Sequence, residues 1–387
     1  MRDNSVLVYF GDDPQRVYQL APWLPVLEQL DGVQPVAIVL RREDTAALVR
    51  PTTRLPVLVA AEFAELRARY AELDAQVALY CNNSPTNFDS LLEPRLLHVH
   101  INHGESDKPS MASNNAKAYD RIFVPGKAAV QRYEHTLLEF DTGRLVRVGR
   151  PQLDLRHPPV LAPSSRRTVL YAPTFEGDAA YNNYSSIDRL GPEIVARALA
   201  VPDVRVVYKP HPRIPGSEDP LVRSGHRDVV RKVTEAAEHD ATAGHVVLED
   251  ADILAVLPDC DAMVTDVSSV GLDWLYLRTD CPLFMTDRHD DPDRLRLAAP
   301  VSRCADVVDS ATVGRLTKLL TARLEHDELH LSRIAMRHHY FDDVKVGDST
   351  ARFIAAVREL ASLRDRLLAA RLTAQVAQDP MAGEPAG

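Results

Sequence analysis

Cysteine is scarce in this chain of 387 residues, and the four present, Cys81, Cys260, Cys281 and Cys304, lack the paired spacing of a zinc site or a dithiol redox motif. They read as reduced and structural. Long apolar runs are missing as well: none approaches the roughly eighteen residues of a membrane-spanning helix. No signal-peptide pattern precedes the strand-like Val6-Leu7-Val8-Tyr9-Phe10, so the expectation is a cytoplasmic protein. Positive charge is in deficit, and a formal net charge of −10 counts against a general nucleic-acid binder. What remains is an ordinary soluble composition, in a chain long enough to bury two separate cores.

The first half repeats one theme, a short apolar strand followed by a helical pattern. Strands are expected at 5–10, 35–40, 56–60, 76–80, 96–101, 120–124 and 145–148, with amphipathic helices at 16–30 and 126–139. A second series begins after the Pro-rich stretch 157–163, with strands near 168–171, 204–208, 245–248, 261–265 and 282–285. Strand and helix in alternation predict parallel sheets covered on both faces, an α/β fold of two Rossmann-like, doubly wound domains. The expected divisions are 1–158 as an acceptor-side domain, 159–346 as a nucleotide-donor domain, 347–373 as a C-terminal helix crossing back, and 374–387 as a disordered tail rich in Ala, Gln, Pro and Gly. Residues 310–325 read as a further helix. Two such sheets in tandem commonly hold a ligand in the cleft at their strand ends, so chemistry is sought there.

Polar clusters do sit at strand ends. Residues 261–277 read as a buried strand ending at Thr265-Asp266, a turn with Ser268-Ser269, and the first turn of a helix. Hydroxyls at a helix start accompany unpaired N–H groups and the positive end of the dipole, which suits either a helix cap or a phosphate. In Leu96 to Pro109, alternation places Leu97, Val99 and Ile101 on one face and His98, His100 and Asn102 on the other, so the strand ends at His103-Gly104 with Lys108 close by. A histidine there suits general-base work on a hydroxyl, or is a loop residue satisfied by backbone. His98-x-His100-x-Asn102-His103 is also one residue from the HxHxDH zinc signature of metallo-β-lactamase-like hydrolases, but Asn102 replaces the ligating carboxylate and the rest of the chain lacks that fold's antiparallel pattern. Val206 to Arg213 forms a strand ending in Lys209-Pro210-His211-Pro212-Arg213, a rigid basic turn fit to hold a diphosphate. Tyr171-Ala172-Pro173-Thr174-Phe175 ends another strand, where Thr174 can donate to a phosphate or simply close the turn.

Taken in order, His103-Gly104 with Lys108, Gly149-Arg150-Pro151-x-x-Asp154, Tyr171-Ala172-Pro173-Thr174-Phe175, Lys209-Pro210-His211-Pro212 and Thr265-Asp266-x-Ser268-Ser269 with Asp273 resemble the CDP-glycerol glycerophosphotransferase family of teichoic acid primases and polymerases, which carries a GT-B fold. Gly347-Asp348-Ser349-Thr350 is similar to that family's ending. The resemblance implies transfer of a polyol phosphate, glycerol phosphate foremost, from a CDP-linked donor to an acceptor hydroxyl in teichoic acid or capsule-type polymer synthesis, with release of CMP. It implies His103 as base and His211 as stabiliser of the transferring phosphoryl or leaving group. Gly104, Lys108, Thr174, Lys209, Arg213, Asp266, Ser268 and Ser269 would contact substrate, with Asp266 also suited to bracing its turn. No acidic metal-type cluster accompanies these residues, so no cofactor beyond the donor is expected and metal should be dispensable. A polyol-phosphate, glycan or lipid-linked acceptor would be the partner, and a lipid-linked one would bring the chain to the inner face of the membrane, although no basic amphipathic helix stands near the N-terminus.

The chain departs from the family in two places. Glu176-Gly177-Asp178 stands where family members commonly carry Arg, and 286–300 is charged and Ala-rich where they carry an aromatic, Gly-rich stretch. The same fold and motifs also suit a glycosyltransferase using a CMP- or UDP-linked sugar, and the two departures suit a noncatalytic nucleotide-binding relative.

Overall fold

Short apolar runs of Val, Ile and Leu, buried on both faces, build two parallel sheets in the computed structural model, which describes residues 6–177 and 179–378. The chain divides into two units: one comprises the described parts of 1–103, 114–155 and 347–387, the other 104–113 and 156–346. The chain thus leaves the first unit after Leu155, and the short segment 104–113 groups with the second unit despite lying within the first stretch of sequence.

In the first unit, strands β1 (Val6–Phe10), β2 (Val36–Leu40), β3 (Val57–Val59), β4 (Val77–Tyr80), β5 (Leu97–His100), β6 (Arg121–Val124) and β7 (Leu145–Arg147) align in the order β3-β2-β1-β4-β5-β6-β7. In the second, β8 (Arg167–Ala172), β9 (Val204–Tyr208), β10 (Val246–Val247), β11 (Ala262–Thr265), β12 (Leu283–Thr286) and β13 (Asp306–Val308) run in the order β10-β9-β8-β11-β12-β13. Every described strand pair is parallel. Each order reverses once beside the first strand of its unit, which is the doubly wound arrangement.

The helix expected at 16–30 is broken into turns at Pro14–Gln19 and Ala21–Trp23 and a helix at Leu24–Asp31. Pro22 and Pro25 have no N–H to donate and fit only the first turn of a helix, so each restarts the chain. The helix after β6 is Lys127–Thr136, and that expected at 310–325 is Leu316–Glu325 after a turn at Val313–Arg315. β13 and the helices Gly191–Leu199, Pro220–His239 and His330–Phe341 lie outside the expected set. The last helix spans Ser349–Gln378, so residues 374–378 of the expected tail are helical, and 379–387 lie outside the described residues. Among the described residues, no helix is long and apolar enough to cross a membrane.

That last helix belongs to the first unit and completes its core. Phe353, Val357, Leu360 and Ala361 are buried with Val6, Val8, Val77, Val99 and Phe123, and the Phe353 ring lies 5.2 Å from Trp23. Its start is fastened by two of the sequence motifs. Asp154 accepts from the backbone N–H of Gly347 at 2.7 Å and of Thr350 at 2.6 Å, and Ser349 Oγ accepts from the N–H of Arg150 at 3.0 Å. A carboxylate on the N–H of Thr350, in the first turn of a 30-residue helix, and of Gly347 just before that helix satisfies a donor that has no partner within the helix and meets the positive end of its dipole.

The polar face of β5 turns out to be interior. His98 Nε2 donates to the Glu93 carbonyl at 2.9 Å and Nδ1 accepts from the Tyr80 hydroxyl at 2.7 Å, leaving no ring nitrogen for a metal. His100 is buried against Tyr119, with ring centroids 5.0 Å apart. Burial, reinforced by neighbouring His103, pushes its pKa down from 6.5 to about 4. The zinc reading of this strand therefore does not fit its histidines.

Removing the Asp154 carboxylate takes the partner from the Thr350 N–H and returns the exposed Gly347 N–H to water, so Asp154→Ala should cost about 1–3 kcal/mol. Urea unfolding checks this, and a loss below about 0.5 kcal/mol would show that the clasp is unimportant. His100 is neutral in the folded chain and protonates once unfolded, so its contribution to stability is complete above pH 6.5 and is lost as pH falls towards 4. The loss amounts to about 3 kcal/mol at one pKa unit per 1.36 kcal/mol. His100→Gln should flatten urea-measured stability across that window, whereas an unchanged slope would assign the acid sensitivity elsewhere.

Candidate functional site

At the end of β11 the apolar run gives way to Asp266, whose side chain is fully buried. One carboxylate oxygen accepts from the N–H of Thr174 at 2.7 Å and of Ser186 at 3.2 Å, and the other from the Thr286 hydroxyl at 2.5 Å. The segments that follow β8 and the end of β12 are thereby tied to the end of β11. Burial pushes the Asp266 pKa up, against hydrogen bonds that favour the anion. Both oxygens are engaged by the protein, so Asp266 is the brace of the site rather than a group presented to substrate.

Around this brace stands a cluster of cations and one aromatic ring, all in the second unit. Lys108 is buried and donates to Thr174 Oγ1 at 3.1 Å. Its pKa is lowered from 10.5 to about 8 by burial, with Asp266 acting in the opposite direction, so the ammonium is still charged at neutral pH. Phe175 is the hub: the Arg213 guanidinium lies 4.3 Å from its ring centroid, Lys108 Nζ lies 5.5 Å away, and the His211 ring lies 4.7 Å away. The electron-rich face of a ring attracts cations, so Phe175 holds these charges in place. The N–H of Arg213 donates to His211 Nδ1 at 3.2 Å, so the imidazole carries its proton on Nε2. The two prolines flanking His211 fix this turn, and its N–H bonds the Pro173 carbonyl at 3.1 Å.

Ser268 occupies the cap position of the helix Ser269–Leu277 in extended backbone (φ −157°, ψ 175°), yet its side chain makes no capping bond. Its Oγ is shielded from solvent and has no hydrogen-bond partner. Of the two readings of this serine, capping is thus not the one its hydroxyl takes. Gly104 packs directly on Ser269: a Cβ there would come within 2.9 Å of Ser269 Cβ and 3.1 Å of its Oγ. Only glycine permits that approach.

Lys209 takes a different place from its neighbours. It is buried, and its ammonium donates to the carbonyls of Pro210 at 2.8 Å and Glu249 at 3.1 Å, which pins the basic turn to the segment after β10. Burial lowers its pKa to about 8. His103 belongs to the first unit, half-buried, with its N–H bonded to Asn102 Oδ1 at 2.9 Å and the Tyr18 ring edge-on at 6.1 Å. It immediately precedes Gly104 in the chain.

Several contributors were not singled out in the sequence. Thr286 and Ser186 hold Asp266, and Phe175 organises the cations. The Thr286 signal was present: Thr265-Asp266 and Thr286-Asp287 are the same dipeptide ending adjacent parallel strands. Ser186 gave no such signal, because it lies in an irregular segment that meets Asp266 only through the fold. Among the described residues, no group of three or more His, Cys, Asp or Glu side chains is placed to hold a metal ion.

Residues 103–292 match the family described as CDP-Glycerol:Poly(glycerophosphate) glycerophosphotransferase. No curated protein matches the chain. Among solved structures, the wall teichoic acid polymerase TagF is similar with a TM-score of 0.60 at 14% identity, over 93% of this chain and 90% of that one. The MnaA–UDP co-structure from S. aureus gives 0.55 at 12% identity, over 92% and 97%. A glycosyltransferase from Rickettsia africae gives 0.53 at 11%, over 93% and 99%. At such identities the likeness is one of fold, the GT-B class of two parallel-sheet α/β domains. Residues 103–292, which contain Gly104, Lys108, the Phe175 cluster, Asp266 and both serines, are thus the part of the chain that is similar to the CDP-glycerol:poly(glycerophosphate) glycerophosphotransferase family, and that match together with the fold indicates a transferase.

Proposed function

We propose that the chain transfers a polyol phosphate, glycerol phosphate foremost, from a CDP-linked donor to an acceptor hydroxyl in teichoic acid or capsule-type polymer synthesis. The carrying observation is the set of cations around Phe175, next to a helix start whose Ser268 hydroxyl has no protein partner. Fixed positive charge and an unspent hydroxyl are what a diphosphate needs. TagF, which has this fold, matches also in a structure described as soaked with CDPG.

In this reading His103 accepts the proton of the acceptor hydroxyl, whose oxygen attacks the donor phosphorus that bears the polyol. The bond from that phosphorus to the oxygen bridging it to CMP breaks, and CMP leaves with the bond's electron pair. Lys108 and Arg213 offset the charge on the phosphate oxygens, His211 Nε2–H donates to the transferring or leaving group, and Thr174, Ser268 and Ser269 orient the diphosphate. Gly104 lets its own backbone lie against Ser269. Lys209 acts through the turn it pins, and Asp266 through the strand ends it joins. The acceptor is a polyol-phosphate, glycan or lipid-linked hydroxyl compound, met by a cytoplasmic protein working at the inner face of the membrane. Since side-chain cations supply the charge, no metal is needed.

CMP release from CDP-glycerol, CDP-ribitol, CMP-sialate and UDP-sugars, each offered with polyol-phosphate and lipid-linked acceptors, tests the reading. Turnover with a CDP-polyol that persists in EDTA is expected, whereas turnover confined to sugar donors would make the chain a glycosyltransferase. Nucleotide binding without any turnover would make it a noncatalytic relative. His103→Ala and His211→Ala should each lower turnover about a hundredfold or more, and wild-type rates in both would remove their assigned roles. Lys108 is protonated below about pH 8 and neutral above it, so donor affinity should weaken as pH rises through 8. Lys108→Met should bind donor weakly at every pH; a variant retaining the wild-type pH profile would exclude Lys108 as the titrating group.

A further inference from the structure

The residue after the aromatic hub departs from the family pattern, and its surroundings indicate what it does. Glu176 follows Phe175, the ring that carries Lys108, Arg213 and His211. One of its carboxylate oxygens accepts from the Ser217 hydroxyl at 2.5 Å, and Ser217 Oγ in turn accepts from the N–H of Asp219 at 3.1 Å, so the side chain is held in one position. The other oxygen, Oε2, is shielded from solvent and has no hydrogen-bond partner. Further along the same loop, Asn182 Oδ1 is a second shielded acceptor without a donor. Gly177 brings the two parts of the loop together. Its φ is +78°, and a Cβ would meet the Asn182 carbonyl oxygen at 2.9 Å, so only glycine fits there.

Two acceptor oxygens without donors on one loop are costly for a folded protein unless something supplies hydrogens to them. A phosphate cannot, because its oxygens are acceptors and a carboxylate repels them. A hydroxyl or an amine can. We infer that Glu176, with Asn182, is a specificity determinant that accepts hydrogen bonds from hydroxyl groups of the polyol or sugar carried by the donor, beside the cations that hold its diphosphate. This rests on the proposed reading of the site as one for a nucleotide-linked donor. The Arg common in the family at this position would favour a further anionic contact, whereas Glu176 selects an uncharged, hydroxyl-bearing group.

The experiment compares affinities for CDP-glycerol and CDP by calorimetry in the wild type and in Glu176→Gln. Glutamine can still accept from Ser217 while placing an NH2 donor where Oε2 accepts, so the fold is kept and only the acceptor is lost. The wild type should bind CDP-glycerol at least tenfold more tightly than CDP, and Glu176→Gln should remove most of that preference while leaving CDP affinity within about threefold. Ser217→Ala, which frees the carboxylate, should fall between them. Equal preference in wild type and Glu176→Gln would overturn the inference while leaving the donor reading intact. Failure of both nucleotides to bind the wild type would overturn the donor reading and the inference with it. A parallel loss of CDP affinity in Glu176→Gln would mean that the residue only supports the phosphate cluster, which also overturns it.

Discussion

The buried carboxylate of Asp266 is the interaction on which the site depends. Parallel strands end at similar heights but send their chains in different directions, so the loops beyond them have no sheet hydrogen bonds to fix them. Asp266 supplies that order by accepting from Thr174, Ser186 and Thr286 at once. Thr174 is then held where it can accept from Lys108, and Phe175 follows it with its ring against Arg213 and His211. A carboxyl group so deeply buried is tolerable only because each oxygen is met by a donor and a buried cation stands near. The opposite displacements of Asp266, upwards, and Lys108, downwards, have the same origin in desolvation.

Much of this was legible in the sequence because strand ends are conspicuous in it. An apolar run of β-branched residues that stops at a Pro, Gly or Thr-Asp marks both the strand and the start of its functional loop, as at Thr265-Asp266 and at Tyr208-Lys209-Pro210. Where the signal was short or diluted it failed. β13 has only Val307 and Val308 as its apolar residues, too few to show a period. The helix Pro220–His239 buries Val222, Gly225, His226, Val229 and Val233, a helical face in which Gly and His replace larger apolar residues. Alternation along β5 gave His98 and His100 a face of their own without showing what would cover it. A strand covered on both faces buries polar residues too, provided that partners such as Tyr80 and the Glu93 carbonyl await them.

Residue types were easier to read than residue roles. Lys209 was assigned to substrate and Asp266 to substrate or to bracing its turn, and in the fold the polar atoms of both meet protein atoms. Nothing in a local motif indicates this, since the Glu249 carbonyl and the Thr286 hydroxyl reach them only through the fold. The same holds for Gly149-Arg150-Pro151-x-x-Asp154 and Gly347-Asp348-Ser349-Thr350, nearly two hundred residues apart, which together fasten the last helix to the first unit's core.

These assignments also divide the charge of the site into two kinds. Cations that meet oxygen acceptors of the protein, such as Lys209, hold a turn in shape and have less left to give a ligand. Cations resting on an aromatic face, such as Arg213 on Phe175, are held by the ring's quadrupole, a weaker partner than a carboxylate. A chain with a net charge of −10 can still gather cations in one place, since the total charge does not fix the local distribution. The bracing carboxylate serves this division: by spending both oxygens on N–H and O–H donors, Asp266 adds order to the site without drawing Lys108 into a direct ion pair.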